Sequence, residues 1–315
     1  MLRLAFSIAG RSRLSILIFH RVLREADSLL PGEPDAAAFE QRMRWVRGWC
    51  EVLPLADAVE RLYAGRLPST ALCITFDDGY ADNAEVAAPI LKKLGLTATF
   101  FVSTGFLESG CMFNDRVIEA IRACRSQEID LSGLGLGRHA LEDADQRRNA
   151  IDALLAGIKH KLPAERQRAV DEIVQACGGP PAPAPMMRPE QVRMLRAMGM
   201  DVGAHTVHHP ILTRVGIDEA RREIADSKAY LEDLLRSPVT TFAYPNGMPG
   251  RDYAAEHVAL VRDCGFAAAV STGWGAASSA TDRFQLPRFT PWDRTRTRYA
   301  ARLLANLRRT EQAVY

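Results

Sequence analysis

The sequence has little of several features that would assign a function at once. Its 40 basic and 38 acidic side chains leave a formal net charge of +2, so nothing points to a nucleic-acid partner. Its six cysteines are scattered without a CxxC pair, which argues against a thiolate metal centre. No apolar run approaches the roughly 20 residues that a membrane-spanning helix needs. With 47% hydrophobic residues among 315, the composition favours one large buried core.

Two short polar segments, each at the end of an apolar run, carry most of the functional information. The first follows the run 71–76, which is typical of a buried strand, and consists of Asp77, Asp78 and Gly79. Adjacent side chains on an extended chain point to opposite sides, so the two carboxylates cannot do the same job. An Asp-Asp-Gly surface turn is the alternative, and this segment alone does not decide between them.

The second segment places histidines after another short strand. An amphipathic helix is predicted over 189–198, and a strand over 202–204 then leads to His205, His208 and His209. These are three of the seven histidines of the chain. One carboxylate and two imidazoles can hold a metal ion while a second carboxylate stays free as a base. Together the two segments predict a one-metal hydrolase.

The two segments resemble the motifs of the polysaccharide deacetylases, the NodB-homology carbohydrate esterases. That family carries Thr-Phe-Asp-Asp-Gly and then His-Ser/Thr-x-x-His-Pro, and this chain has matching residues at 75–79 and 205–210. The resemblance spans about residues 14–290. It implies an α/β fold, a distorted (β/α) barrel over residues 1–315, and metal-dependent removal of N-acetyl groups from an oligo- or polysaccharide.

The resemblance implies a role for each residue of these motifs. Asp78, His205 and His209 would bind the metal, and Asp77 would be the general base acting on the metal-bound water. His208 falls at a variable position and is left out of the metal site. Three protein ligands and an open position suit a catalytic ion. Zinc is the default, with cobalt, nickel, manganese or iron as alternatives.

The chain departs from the family in the motif that is usually Arg-x-Pro-Tyr-Gly. It matches by Pro245 and Gly247, so Ala243 stands where the arginine would be. Asn246 would then offer its backbone N–H to the oxyanion. The missing arginine normally orients the base. Arg288, in a late strand-like segment, is the candidate replacement, with a surface ion pair as the alternative.

A general acid is also needed, because an amine leaves poorly unless it is protonated. The family's Leu-x-His motif near the C-terminus is absent, since no histidine follows His257. The apolar run 14–19 instead ends in His20, which resembles the permuted order of biofilm-type exopolysaccharide deacetylases. His20 would then protonate the departing glucosamine nitrogen. A structural histidine at a strand end is the alternative.

Strand-like and helical patterns alternate along the chain, which favours a parallel sheet. Residues 107–188 are expected to form a helical insertion, either a lid or a decorative hairpin, with a stiff Pro-rich return linker over 178–185.

The basic C-terminal segment 294–315 is expected to form an amphipathic helix that packs on the barrel. Peripheral contact with an anionic membrane is the alternative. The strands are predicted at 16–19, 72–76, 98–102, 202–204, 240–243, 267–270 and 285–289.

The N-terminus and the cysteines bear on location. Residues 1–10 are too short and too weakly apolar for a good signal peptide, and cleavage beyond the next apolar run would remove His20. Free, mostly buried thiols are typical of a reducing compartment. We therefore expect a cytoplasmic protein. A polymer substrate would lie outside the cell, and the hypothesis that reconciles the two is a lipid-linked or nucleotide-linked saccharide precursor at the inner membrane face.

Three functions are compatible with these residues. The first is N-deacetylation of N-acetylated hexosamines in a glycan or its precursor. The second keeps the site but hydrolyses a non-sugar amide, which the departures at Ala243 and Asn246 permit. The third is a sugar-binding pseudoenzyme, which would need a missing ligand or base, whereas both are present in the sequence.

Overall fold

A computed structural model describes residues 2–107, 110–179, 185–309 and 313–314. The chain divides into two compact units. The first contains residues 1–25, 34–108 and 187–315, and the second contains residues 26–33 and 109–186. Most of the Pro-rich linker predicted over 178–185 lies outside the described residues. Within those residues, no helix is long and apolar enough to cross a membrane.

The described ranges contain nine strands and eleven α-helices. The strands are β1 (Ser15–Phe19), β2 (Glu51–Val52), β3 (Ala71–Phe76), β4 (Thr99–Val102), β5 (Glu128–Leu131), β6 (Gly137–Ala140), β7 (Asp201–Ala204), β8 (Thr241–Ala243) and β9 (Ala268–Val270). The α-helices are α1 (Leu2–Ala9), α2 (Ala36–Trp49), α3 (Leu55–Tyr63), α4 (Ala88–Lys93), α5 (Phe113–Ala123), α6 (Ala144–Ile158), α7 (Pro163–Ala176), α8 (Pro189–Ala197), α9 (Ile217–Leu235), α10 (Ala255–Asp263) and α11 (Arg296–Asn306). Shorter helical turns are Asn83–Ala87, Thr104–Phe106, Ser132–Leu134 and Leu212–Arg214.

The first unit is built on one curled sheet of seven parallel strands. Its order is β1-β3-β4-β7-β8-β9, with β2 paired to the start of β3. The register sets Phe76 between Phe19 and Phe100, and their rings stack with centroids 5.4 and 4.7 Å apart. Because these strands run the same way, their carboxyl ends meet at one edge, where barrel enzymes carry their chemistry.

A short segment closes this sheet into a barrel. Leu286 forms a parallel bridge to Val270 of β9, and Phe289 forms another to Leu17 of β1. The last predicted strand is reduced to these bridges, because Pro287 between them has no N–H for a ladder. The prediction of a distorted (β/α) barrel is therefore confirmed.

The interior of the barrel is narrow next to the histidine strand β7. A Cβ atom on Gly203 would lie 2.4 Å from the ring of Phe101 and 2.8 Å from the hydroxyl of Thr241. Glycine therefore leaves the space that Phe101 fills. The Phe101 ring in turn lies beneath the guanidinium of Arg288, whose Cζ is 5.6 Å from the ring centroid. Small and large side chains thus fit together directly below the site.

The second unit contains helices, as the sequence predicts for this insertion, and also a hairpin that the sequence analysis did not predict. Helices α5, α6 and α7 form a core of their own with the antiparallel hairpin β5–β6. The hairpin is short and largely exposed, and of β5 only Ile129 and Leu131 are buried. Its pattern is therefore too weak to detect from the sequence. Residues 26–33 also belong to this unit, although they lie far from it in the sequence.

The two terminal helices of the first unit pack against each other and against α2. Helix α11, within the predicted basic tail, buries Tyr299 and Leu303. The Tyr299 ring meets the edge of Trp45 at 5.7 Å between centroids. Helix α1 buries Phe6, which stacks on Trp49, and the sequence analysis did not predict this helix.

Candidate active site

Polar side chains gather where β1, β3 and β7 end. Asp77 and Asp78 follow β3, His205 and His209 follow β7, and His20 follows β1. Strands β1 and β3 are neighbours, only β4 separates β3 from β7, and all of them run parallel. Their carboxyl ends therefore share one edge of the barrel. The structure therefore brings together the residues that the two motifs and the N-terminal strand supply.

Asp78, His205 and His209 form a cluster with the character of a metal site. One ligand atom from each lies within 4.8 Å of the others. The Nε2 atoms of His205 and His209 lie 3.5 and 3.3 Å from Oδ1 of Asp78. That oxygen is buried and makes no hydrogen bond to the described residues, which is costly unless a cation satisfies it. Carboxylate oxygen and imidazole nitrogen suit a divalent metal, so these residues fit the expected ion.

Hydrogen bonds fix the ring of His205 and the backbone of His209. Nδ1 of His205 is 2.7 Å from the carbonyl oxygen of Ala243, which assigns a proton to Nδ1 and directs Nε2 toward Asp78. Ala243 therefore contributes through its backbone, although it lacks the arginine side chain of the family motif. Burial lowers the pKa of His209 to about 4, so this imidazole is neutral and able to bind a metal. Thr206 links the two, because its hydroxyl donates to the His205 carbonyl and accepts from the His209 N–H.

Four residues of the motifs have a left-handed backbone. The φ angles are +75° at Asp78, +63° at Thr206, +53° at His209 and +58° at Asn246. For residues other than glycine this conformation costs about 1 kcal/mol or more each, and it concentrates at functional sites. The loops at this edge are therefore held in place by the surrounding hydrogen bonds and packing.

Asp77 is held by Arg288. Two guanidinium nitrogens of Arg288 donate to the two carboxylate oxygens, each at 2.7 Å, and both side chains are buried. Arg288 also donates from Nε to the Ser271 carbonyl at 3.0 Å and from Nη1 to the Thr75 hydroxyl at 3.1 Å. Burial alone would raise the pKa of Asp77, but the charges of Arg288 and His205 outweigh it and lower that pKa. Asp77 is therefore an ionised, oriented carboxylate, and its contact with Arg288 is no surface ion pair.

His20 borders the cluster. Its side chain is half-buried, and the carbonyl oxygen of His20 accepts a hydrogen bond from Asn83 at 2.8 Å. Burial opposes ionisation of Asp78, yet the histidines around it, His20 included, lower the pKa of that carboxyl. His20 is thus within electrostatic reach of the cluster, as a proton donor beside it must be.

Asn246 lies in the turn after β8 and is not in hydrogen-bond contact with the cluster. Its carbonyl oxygen accepts from the Thr272 hydroxyl at 2.7 Å, which fixes the turn. Its backbone N–H finds no acceptor among the described residues. This N–H is therefore free to donate to a ligand.

Sequence reasoning missed Glu223 of α9. This buried carboxylate accepts from the N–H groups of Val207 and His208 at 2.8 and 2.7 Å, and its other oxygen is 2.8 Å from Nδ1 of His208. It therefore holds the loop between the two candidate metal ligands of β7. The one available signal was its place on the apolar face of α9, beside Ala220 and Ile224.

A second missed residue, Asp82, holds the loop that carries His20. Its carboxylate accepts from Nε of Arg21 at 2.8 Å and from the N–H of Val22 at 3.2 Å. The neighbouring Asn83 bonds the His20 carbonyl. No motif signals this contact, because it joins residues about 60 positions apart.

The fold and the site together define a barrel with a candidate metal site at the carboxyl ends of its strands, and comparison with known proteins gives its family. The family model for polysaccharide deacetylase matches residues 64–269, more than half of the chain. The chain belongs to the polysaccharide deacetylase family and is a deacetylase enzyme, as predicted. YxkH of Bacillus subtilis, which carries a provisional polysaccharide deacetylase name, is 23% identical over 280 residues, covering 88% of this chain and 71% of YxkH.

Solved structures share the fold. The Streptococcus pyogenes deacetylase PplD in complex with acetate has a TM-score of 0.61 at 20% identity, covering 94% of this chain and 99% of PplD. IcaB from Ammonifex degensii has a TM-score of 0.59 at 19% identity, covering 92% of this chain and 96% of IcaB. At these identities the likeness establishes the fold, and it agrees with the barrel described above.

The first prediction concerns Arg288. In Arg288→Lys the charge stays but the bidentate contact is lost, so Asp77 is no longer held in one orientation. We expect kcat to fall about 10- to 100-fold, since misplacement by about 1 Å can have that effect. Zinc affinity, measured by calorimetry, should stay within about twofold because Arg288 contacts no candidate ligand. The control is Arg283→Lys, which alters a half-exposed ion pair with Glu60 and should leave kcat unchanged. An Arg288→Lys enzyme with unchanged kcat would refute the role of Arg288 in orienting Asp77.

The second prediction concerns Glu223. Glu223→Gln keeps one oxygen as an acceptor but replaces the other with an amide that donates, so the loop of His205 and His209 loosens. We expect zinc affinity to fall about tenfold, as is typical for residues that orient metal ligands. Glu219→Gln changes an exposed acid on the same helix and serves as the control. Equal zinc affinity in the two variants would show that Glu223 plays no part in the metal site.

Proposed function

We propose that this enzyme removes N-acetyl groups from N-acetylated hexosamine residues of a glycan or its precursor, releasing acetate and leaving a free amine. One observation carries the proposal. A buried, ionised Asp77, held by both nitrogens of Arg288, lies beside the cluster of Asp78, His205 and His209. Oδ2 of Asp77 is 3.9 Å from Nε2 of His205, so a base and a metal site meet in one place.

The proposal includes one divalent metal ion, for which zinc is our first choice. Asp78, His205 and His209 would hold it. When bound, such an ion supplies a Lewis acid that makes water more acidic and polarises an amide carbonyl.

The chain's own residues would supply the remaining chemistry. Each oxygen of Asp77 uses one lone pair for Arg288 and keeps another, so the carboxylate can still accept a proton from the attacking water. As that proton moves to Asp77, the water oxygen bonds to the amide carbon, and the Asn246 N–H donates to the developing oxyanion. The C–N bond then breaks while His20 gives its proton to the departing nitrogen.

The position of His20 supports a permuted deacetylase of the exopolysaccharide type. In this chain the strand that carries the candidate acid, β1, is the first of the barrel, and the closing segment of Arg288 is its last. Acid and base are therefore supplied by neighbouring strands β1 and β3. PplD has been solved with acetate, which is the product that this proposal requires.

The test is acetate release from N-acetylglucosamine oligomers by zinc-loaded protein. We expect Asp77→Asn to keep the zinc but to lose about 10²- to 10⁴-fold in kcat, the range for removing a general base. Asp78→Asn should instead lose zinc, which separates the two acids. Zinc binding without acetate release from any N-acetylated glycan would refute the substrate, and an active Asp77→Asn would refute the base.

A further inference from the structure

One cavity does not include the cluster of Asp78 and the histidines. It has a volume of about 490 Å³ and is bounded by α11 and by the loops that follow β9 and the closing segment. None of the residues assigned above to catalysis or metal binding lines it. Its size is within the range of small-molecule sites. The polar and aromatic residues that line it are Trp274, Asp293, Arg298, Arg302, Asn306 and Arg309.

The cavity carries excess positive charge. Three arginines face a single acid, and Asp293 is hydrogen-bonded to one of them, Arg302. Arg298 and Arg309 make no hydrogen bond or ion pair with a carboxylate in the described parts of the chain. The hydrogen bond from Arg302 lowers the pKa of Asp293, and Arg298 still acts on that carboxyl through its charge and lowers its pKa further. Two guanidinium groups that line the cavity are thus without a direct ion pair to the residues that the structure describes, and arginine binds anions well because its donors match phosphate and carboxylate oxygens.

Asn306, which lines the cavity, has a buried acceptor without a partner in the described ranges. Asn306 is 3% exposed, and its Nδ2 donates to the carbonyl of Gly275 at 2.9 Å. Its Oδ1 is buried and accepts no hydrogen bond from the described residues. An unsatisfied buried oxygen is costly. A ligand hydroxyl that donates to Oδ1 would remove this cost.

One exposed indole, Trp274, lines the cavity, and a second, Trp292, lies next to it. Trp274 and Trp292 are 37% and 49% exposed, and their rings lie 5.3 Å apart at 46°. Arg309 lies over Trp274 and Arg302 over Trp292, with Cζ at 4.9 and 4.3 Å from the ring centroids. Both indoles nevertheless remain more than a third exposed, and an exposed aromatic patch is a typical contact surface for a ligand. The C–H face of a sugar ring fits such a plane.

We propose that this cavity binds a sugar residue that carries an anionic group, either a phosphate ester or a carboxylate. The anion would pair with Arg298 or Arg309, a ring hydroxyl would donate to Asn306, and the apolar face of the ring would cover Trp274. A neutral sugar would leave the arginines unused, and an inorganic anion would leave the indole and the amide unused. The three features together therefore select a charged sugar.

The cavity is joined to the active site through the loop that carries Trp274. The carbonyl of Gly273 accepts from the N–H of Arg288 at 3.0 Å, and that of Ser271 accepts from its Nε. The loop that carries Trp274 therefore contacts the residue that holds Asp77. That the charged unit belongs to the same glycan as the N-acetyl group rests on the proposed function, whereas binding in the cavity does not.

Binding is measured by calorimetry on the full-length protein at physiological salt. The probes are N-acetylglucosamine 1-phosphate, glucuronic acid, N-acetylglucosamine and inorganic phosphate. We expect at least one charged sugar to bind at least tenfold more tightly than both the neutral sugar and inorganic phosphate. Whichever of the two charged sugars binds more tightly identifies the anionic group as a phosphate ester or a carboxylate.

Charge-matched variants locate the binding. Arg298→Gln with Arg309→Gln should weaken the charged sugar at least tenfold. Arg294→Gln with Arg308→Gln removes the same charge from exposed positions that do not line the cavity, and it should change affinity less than twofold. Both pairs leave the metal ligands intact, so phosphate binding at the metal centre would be equal in the two.

Three results would overturn the proposal. They are the absence of measurable binding by either charged sugar, inorganic phosphate binding as tightly as the sugars, and equal affinities in the two double variants. Acetate release from neutral N-acetylglucosamine oligomers reports on the proposed function separately. An active deacetylase without charged-sugar binding would refute only the cavity, and charged-sugar binding without deacetylation would refute only the function.

Discussion

The buried ion pair between Asp77 and Arg288 is the contact on which both the barrel and its chemistry depend. It joins β3 to the segment that closes the sheet, so the geometry of the base and the closure of the barrel are coupled. Removing two charges from water costs several kcal/mol per ion, and only a full set of hydrogen bonds offsets this. Ser271 and Thr75 complete that set. Loss of one partner would leave the other charged and buried.

The pair also explains how two adjacent aspartates can have different roles. Asp77 continues the alternation of β3 and faces Arg288 inside the barrel. At Asp78 the backbone turns to a φ of +75°, which brings its carboxylate to His205 and His209 instead. One acid is thus surrounded by donors that keep it ionised, and the other has a bare oxygen suited to a cation. The conformation of a single residue separates a base from a ligand.

What could be predicted from the sequence follows from how local each signal is. The barrel strands are local apolar runs, and Asp78, His205 and His209 lie in short motifs at the ends of two of them. Both could therefore be predicted from the sequence. Arg288 could be predicted because the missing family arginine needed a replacement from another strand-like segment. Glu223 and the charged cavity could not, since they depend on contacts made only in the folded chain. The β5–β6 hairpin was also missed, because its short, polar strands leave little hydrophobic pattern.

The most direct test of this account is a crystal structure of the zinc-loaded enzyme with an anomalous difference map. We expect one zinc peak, about 2.0–2.2 Å from an oxygen of Asp78 and from Nε2 of His205 and His209. Asp77 should remain bidentate on Arg288 and outside the coordination sphere. Direct coordination of zinc by Asp77, with Arg288 released, would contradict the division of roles between the two aspartates.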